Sequence, residues 1–126
     1  MNDGEGAADQ GDLDEVLSSN DMVLIDFWAS WCGRCQVFGP IFETASERHP
    51  DIVFAKVDTE AQQELARSFG IRSIPMLMIF RAQVAVDAPG AVPGEALEEL
   101  VDRALKLDMD EVHRQVEAHL ATQGAS

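Results

Sequence analysis

Two cysteines separated by two residues form the most reactive pair of side chains in this sequence. Cys32 and Cys35 are the only cysteines of the chain, and they closely follow the apolar run Met22–Trp28. If a strand ends near Trp28 and a helix begins near Cys32, both sulfur atoms lie on one face of the first helical turn. The free N–H groups and the dipole of a helix N-terminus stabilise a thiolate. A thiolate with a second thiol in reach has the minimum chemistry for reversible disulfide exchange.

A zinc site is the main alternative use of a Cys-x-x-Cys motif. A structural zinc ion needs four ligands, and the chain has no second cysteine pair. No metal site is predicted, since three histidines lack metal-ligand spacing with the cysteines: His49, His113 and His119. A zinc ion shared by two subunits through four thiolates stays open as an alternative.

The order of apolar patterns predicts an α/β fold in which strands and helices alternate in the first half. Two strands then follow one another before a closing helix, which indicates a mixed central sheet flanked by helices. Pro40 is expected to kink the helix that contains it, and Gly70 to end the next one. The predicted helices span 12–19, 35–48, 60–69 and 95–106, and the predicted strands span 22–28, 52–57, 74–80 and 83–87.

The chain of 126 residues is long enough for one domain with a hydrophobic core. Acidic, glycine-rich residues 1–11 are predicted to be a disordered arm, residues 12–107 the domain, and residues 108–126 a helical or frayed C-terminal extension. The extension carries an apolar stripe at helical spacing, formed by Met109, Val112, Val116 and Leu120. Four interpretations stay open: the stripe extends the preceding helix, packs on the domain, binds a partner, or frays in solution.

A large acidic excess limits the partners that this chain can bind. The formal net charge is −14, which argues against nucleic acid and against anionic membrane surfaces. No apolar run approaches the roughly 18 residues that a membrane span requires. The N-terminus is acidic and lacks the basic and apolar regions of a secretory signal, so we expect a cytoplasmic protein.

Three separate segments together resemble the thioredoxin family. Residues 27–35, with the sequence FWASWCGRC, are similar to the family's active-site segment, and Asp26 lies in the strand six residues before Cys32. Residues 54–58 resemble the family's next strand with its lysine, and residues 70–75 resemble the segment that carries its cis-proline. In combination these segments are far more specific than a Cys-x-x-Cys motif alone.

The resemblance covers residues 13–107 and implies a thioredoxin fold, with a central mixed sheet flanked by helices. Gly90 matches a glycine that lines the family's substrate groove. The N-terminal edge strand that is typical of the family has no clear counterpart in residues 2–11, so an absent edge strand is one expectation to test. The segment after Leu107 extends beyond the usual family boundary.

The resemblance also implies a role for each catalytic residue. Cys32 attacks a target disulfide, and the more buried Cys35 attacks the mixed disulfide and releases the reduced target. Asp26 lies beneath the cysteines and exchanges a proton with Cys35 through water. Lys56 lies near Asp26 and adjusts the tendency of Asp26 to bind a proton. Burying an acid within an apolar strand costs free energy, and that cost favours a functional role for Asp26 over a purely structural one. Burial also raises the pKa of the carboxyl group toward neutrality.

A second set of residues is implied in target binding. Ile74 offers backbone groups to an extended substrate, and a cis Pro75 faces the cysteines. The full predicted set is Trp31, Gly33, Arg34, Ile74, Pro75, Gly90 and Ala91. Arg34 departs from the family, which usually has proline there, and a cation beside the thiolate stabilises the reduced form. We therefore expect a more oxidising potential than that of a typical thioredoxin.

The resemblance thus implies that the chain reduces protein disulfides and that an NADPH-dependent thioredoxin reductase recycles it. No bound cofactor is expected, because the cysteine pair carries the electrons. A monomer is expected, without nucleic acid or membrane partners. Two alternatives stay open: a disulfide oxidant or isomerase, which Arg34 favours, and a binding or chaperone module that uses the C-terminal extension.

Overall fold

The computed structural model describes residues 10–124, and the side chains of residues 12–121. Within that part of the chain a four-stranded sheet is packed between helices. Most of the predicted arm at 1–11 lies outside the described residues. The elements are α1 (Gln10–Ser19), β1 (Met22–Trp28), α2 (Gly33–Arg48), β2 (Val53–Asp58), α3 (Gln63–Ser68), β3 (Met76–Arg81), β4 (Val84–Asp87), α4 (Gly94–Leu105) and α5 (Met109–Gly124).

The sheet is mixed, with the strand order β2-β1-β3-β4. β1 pairs in parallel with β2 and antiparallel with β3, and β3 pairs antiparallel with β4. This arrangement confirms the predicted α/β class. Among residues 10–124 no strand precedes β1, because the chain before it forms α1. Over the described residues, the sheet therefore lacks the N-terminal edge strand, as the sequence suggested.

The central strand β1 separates two hydrophobic clusters. Alternate side chains of a strand point to opposite faces of the sheet. Met22 and Leu24 pack with residues of α2 and α4, whereas Val23 and Ile25 pack with residues of α1 and α3. Asp26 shares the face of Met22 and Leu24 by this alternation. The strand periodicity thus places a carboxyl group beneath α2, the helix that follows the cysteine motif.

Helix boundaries differ from the sequence predictions at several places, and most at α3. α2 begins at Gly33 instead of residue 35, and α4 spans Gly94–Leu105 instead of 95–106. α3 spans only Gln63–Ser68 instead of 60–69, because the Asp58 carboxylate accepts hydrogen bonds from the backbone N–H groups of Glu60 and Ala61 at 2.9 and 3.4 Å. Those bonds hold the first predicted residues in a turn. α1 begins at Gln10, two residues earlier than predicted. Gly70 adopts the left-handed conformation, with φ +71°, just beyond α3, as its predicted capping role requires.

The C-terminal helix α5 lies beside the edge strand β4. Val112 and Val116 line a groove together with Val84 and Val86 of the strand, and the His113 ring lies 3.4 Å from the carbonyl oxygen of Ala82. The segment is helical over Met109–Gly124, and its apolar stripe borders this groove, with Leu120 58% exposed. The four interpretations of the stripe stay open. None of the helices between residues 10 and 124 combines the length and the hydropathy of a membrane-spanning segment.

Candidate active site

The cysteine pair lies where β1 gives way to α2, and its two sulfur atoms form a disulfide. Cys32 is the N-cap of α2 in an extended conformation, with φ −91° and ψ 112°. Its Sγ accepts a hydrogen bond from the backbone N–H of Cys35 at 3.2 Å. The predicted placement of both sulfur atoms on the first turn is confirmed. A thiolate at Cys32 would occupy a position that a free helix N–H and the helix dipole both favour.

Both cysteines are almost fully enclosed. The exposed fraction is 7% for Cys32 and 5% for Cys35, so the predicted difference in burial between them is small in the oxidised protein. The residues on the outer side of the pair are much more exposed to solvent than the two cysteines. Gly33 and Arg34 are exposed, and Trp31 is 68% exposed. The outer side of the pair is therefore bordered by exposed residues, whereas its inner side faces the protein interior.

Asp26 is the one buried charged residue of the described core, with 1% of its surface exposed. It lines a cavity of about 220 Å³ that Cys35 also lines. Its Oδ1 atom is buried and has no hydrogen-bond partner among the described residues. Burial raises the pKa of Asp26 from 3.8 to about 6, while the Lys56 ammonium lowers that pKa and the Glu43 carboxylate raises it. A group with this pKa can accept or donate a proton near neutral pH.

Lys56 is brought to Asp26 by the register of the sheet. The two residues are direct partners across the parallel pair β1–β2, and both line the cavity. The Lys56 ammonium forms an ion pair with Glu43, with Nζ 3.2 Å from Oε2. It also lies 5.9 Å from the centre of the Trp28 ring. The structure thus places Lys56 near Asp26, as predicted, and adds a partner that the sequence analysis did not identify.

The loop before β3 supplies the other wall of the site. The Ile74–Pro75 peptide bond is cis, Pro75 is buried, and Ile74 packs against the small cluster that contains both cysteines. Gly90 lies in the loop between β4 and α4 with φ +80°, and Ala91 beside it is exposed. The structure brings Ile74 to the disulfide. The binding roles of Gly90 and Ala91 stay predictions.

The sequence analysis missed two contacts at the site. The indole N–H of Trp31 donates a hydrogen bond to Glu60 at 3.0 Å across 29 positions of sequence, and no local pattern signals such a pair. Glu43 is different, because Cys35, Gly39 and Glu43 follow one another at intervals of four residues. Residues at that interval lie on one face of a helix. That spacing was a usable signal for an acid beneath the cysteines.

Comparison with known proteins identifies the family. The family model described as Thioredoxin matches residues 8–103. The chain belongs to the thioredoxin family. It is 58% identical over 113 residues to a protein named putative thioredoxin 2 from Streptomyces coelicolor, a match that covers 89% of this chain and 84% of that protein. It is 44% identical over 91 residues to the thioredoxin of Mycobacterium tuberculosis, covering 70% of this chain and 78% of that protein.

Solved structures agree with this assignment. A mutant thioredoxin from Halobacterium salinarum has a TM-score of 0.75 and 38% identity, over 82% of this chain and 91% of that chain. A thioredoxin from Plasmodium falciparum has a TM-score of 0.73 and 29% identity, over 79% of this chain and 97% of that chain. The predicted thioredoxin fold is confirmed. With its dithiol pair in this fold, the chain is a thiol–disulfide oxidoreductase with protein-disulfide reductase activity.

Proposed function

We propose that Cys32 and Cys35 reduce target disulfides in two steps, with Asp26 as the proton acceptor. In the first step the Cys32 thiolate attacks one target sulfur, a Cys32–target disulfide forms, and the other target sulfur leaves as a thiolate. In the second step the Cys35 thiol loses its proton, and its sulfur attacks Cys32 Sγ. The second target thiolate leaves, two electrons have passed to the target, and the Cys32–Cys35 disulfide is restored.

One observation supports this division of roles: the cavity beneath the disulfide contains Cys35 and Asp26 together. Its volume of about 220 Å³ has room for water that carries a proton between them. Cys32 lies at the helix N-terminus and next to the exposed Gly33 and Arg34, where a target arrives. Position therefore favours Cys32 as the nucleophile and Cys35 as the resolving thiol, while Lys56 modulates the charge of Asp26 from the neighbouring strand.

Target recognition in this proposal uses the outer side of the pair. Ile74 packs beside the cysteines and offers backbone groups to an extended peptide, in the manner of an added strand. The proposed contact surface also contains Trp31, Gly33, Arg34, Pro75, Gly90 and Ala91. An NADPH-dependent thioredoxin reductase that restores the dithiol, a cytoplasmic location and a monomeric state belong to the same proposal.

The division of roles can be tested with single cysteine variants. With insulin as the target and dithiothreitol as the electron donor, we expect Cys32→Ser to reduce no disulfide. Reduced Cys35→Ser, separated from dithiothreitol before it is mixed with insulin, should instead accumulate a covalent one-to-one adduct with the target, visible by mass spectrometry. An adduct that forms with Cys32→Ser and not with Cys35→Ser would show that the two roles are reversed.

The direction of electron flow is a separate question, and the reduction potential answers it. The fluorescence of Trp28 and Trp31 can follow the transition in graded thiol–disulfide buffers. A potential near the roughly −270 mV of thioredoxin supports a reductase, whereas one near the roughly −180 mV of protein disulfide isomerase supports an oxidant or isomerase. The positive charge of Arg34 beside the nucleophile shifts the potential in the direction of the second value.

A further inference from the structure

We propose that Glu43 is a positioning residue for disulfide exchange, whose carboxylate holds the Lys56 ammonium at the mouth of the cavity and away from Asp26. The inference rests on the proposed function, in which Asp26 exchanges a proton with Cys35. It adds a residue of α2 to the groups that govern this exchange. It also predicts that the exposed carboxylate of Glu43 affects the protonation of the buried Asp26 by fixing the position of Lys56.

The sheet register brings Lys56 close enough to pair with Asp26 directly. The two residues are partners on adjacent parallel strands, and adjacent strands lie about 4.8 Å apart. Among the described residues, however, Lys56 forms its ion pair with Glu43, with Nζ 3.2 Å from Oε2, and none with Asp26. The Glu43 side chain is 65% exposed and the Lys56 side chain 20%. The ammonium is therefore directed outward, toward the more exposed of the two acids.

The surface of α2 leaves space for the Lys56 side chain at Gly39. Gly39 lies one turn before Glu43, and a Cβ atom at that position would be 3.7 Å from Lys56 Nζ. The ammonium thus passes beside the bare backbone of Gly39 on its way to Glu43. The Trp28 ring flanks the same path, with its centre 5.9 Å from Nζ. These contacts define one position for a side chain that would otherwise be free to turn inward.

This position leaves the Asp26 carboxyl without an ion pair. From α2 it is faced by Cys35 and Glu43, from β2 by Lys56, and from β3 by its apolar partner Leu77. An ion pair with Lys56 would stabilise the carboxylate and hold Asp26 in its charged form over most of the physiological range. With Lys56 held by Glu43, Asp26 instead titrates at a pH where it can both take and return a proton.

The direct test is an NMR titration of the Asp26 carboxyl carbon in the oxidised protein. Glu43→Gln removes the negative charge that holds Lys56, so we expect it to lower the pKa of Asp26 by about 1. Glu47→Gln is the matched control, because Glu47 lies one turn further along α2, is exposed, and has no ion pair among the described residues. An equal Asp26 pKa in the two variants would overturn the proposal.

A second variant separates positioning from simple repulsion between the two acids. In a Lys56→Met background there is no ammonium to hold, so Glu43→Gln should change the pKa of Asp26 far less than it does in the native chain. The difference between the two changes is the coupling through Lys56. If Glu43→Gln has the same effect with and without Lys56, the carboxylate acts through space alone and the positioning role is wrong.

Kinetics and stability complete the test. The pH at which release of the reduced target reaches half its maximal rate should fall in Glu43→Gln together with the pKa of Asp26. The urea midpoint should rise at pH 7, because a lower pKa makes ionisation of Asp26 less costly in the folded protein. It should hardly change at pH 4, where Asp26 is protonated in both proteins and an exposed ion pair adds little to stability. The titration needs no activity, so failure of the reductase assay in the native protein would count against the proposed function and leave the Glu43 result standing.

Discussion

The two sides of the Cys32–Cys35 disulfide differ in how tightly their side chains are held. On the inner side, Asp26, Lys56 and Glu43 lie around a cavity and each affects the charge of the next. On the outer side, Gly33 and Arg34 are exposed. In the proposed mechanism the inner side sets the conditions for proton exchange, whereas the exposed outer side receives the target.

The contrast follows from the physics of charges in different surroundings. Two charges in a low-dielectric interior interact several times more strongly than the same charges near water, where salt screens them as well. A single charge change should therefore have large effects beneath the disulfide and small ones above it. Three substitutions test this expectation, and the Glu43 variants extend it to a residue that lies between the two environments.

The largest effect is expected for Asp26→Asn. The folded protein binds a proton at Asp26 more tightly than the unfolded chain, because the pKa is raised from 3.8 to about 6. Stability from this group is thus fully present below pH 4 and is lost as the pH rises through 6. The loss amounts to about 3 kcal/mol at pH 7. We expect Asp26→Asn to be more stable than the native protein in urea at pH 7.

Activity should move in the opposite direction to stability in the same variant. Without a carboxylate to accept the Cys35 proton, release of the reduced target should slow by about a hundredfold, the lower end of the range for positioned bases. The rise in that rate between pH 5 and 7 should disappear with it. Native-like stability and rates at both pH values would contradict the view that the inner side is the sensitive one.

A smaller effect is expected for Trp31→Ala on the outer side. Trp31 is 68% exposed, and its indole is fixed by the hydrogen bond to Glu60. Loss of a rigid aromatic contact typically costs somewhat more than 1 kcal/mol of binding, so KM for a protein target should rise about tenfold. Reduction of a small disulfide such as cystine should be unaffected. An equal loss for both substrates would mean that Trp31 acts on the chemistry rather than on binding. Glu60→Gln, which keeps the ring, is the control.

The smallest effect is expected for Arg34→Pro. Arg34 is exposed, and exposed charges contribute about 1 kcal/mol or less, which equals about 20 mV for a two-electron couple. We expect the potential to become more negative by that amount and the pKa of Cys32 to rise. Arg34→Gln separates the loss of charge from the introduction of proline. If neither quantity changes in either variant, the sequence-based argument about this arginine is wrong.

Local patterns in the sequence were sufficient to predict most of the fold and the centre of the site. The buried strand β1 is visible as an apolar run interrupted only by Asp26, and alternation along that strand determines the face on which the acid lies. The cysteine spacing places both sulfur atoms on one helical turn. Gly70 marks the end of α3 through a backbone preference that acts over a few residues.

Contacts between distant segments were the part that the sequence did not reveal. The bond from Trp31 to Glu60 and the ion pair from Lys56 to Glu43 depend on how α2, β2 and the loop after β2 pack together. The shortened α3 depends on a single Asp58 carboxylate that competes with the helix for two N–H groups. The groove between α5 and β4 likewise depends on a strand that is in place only after the sheet has formed.

Because the disulfide uses both cysteines of the chain, the oxidised protein has no free thiol. A thiol-alkylating reagent should therefore add two labels to the reduced protein and none to the oxidised one. A molecule with one label must have its other sulfur bonded elsewhere, as in a mixed disulfide with a target. Counting labels by mass would then give the fractions of a population that are reduced, oxidised and held in a mixed disulfide.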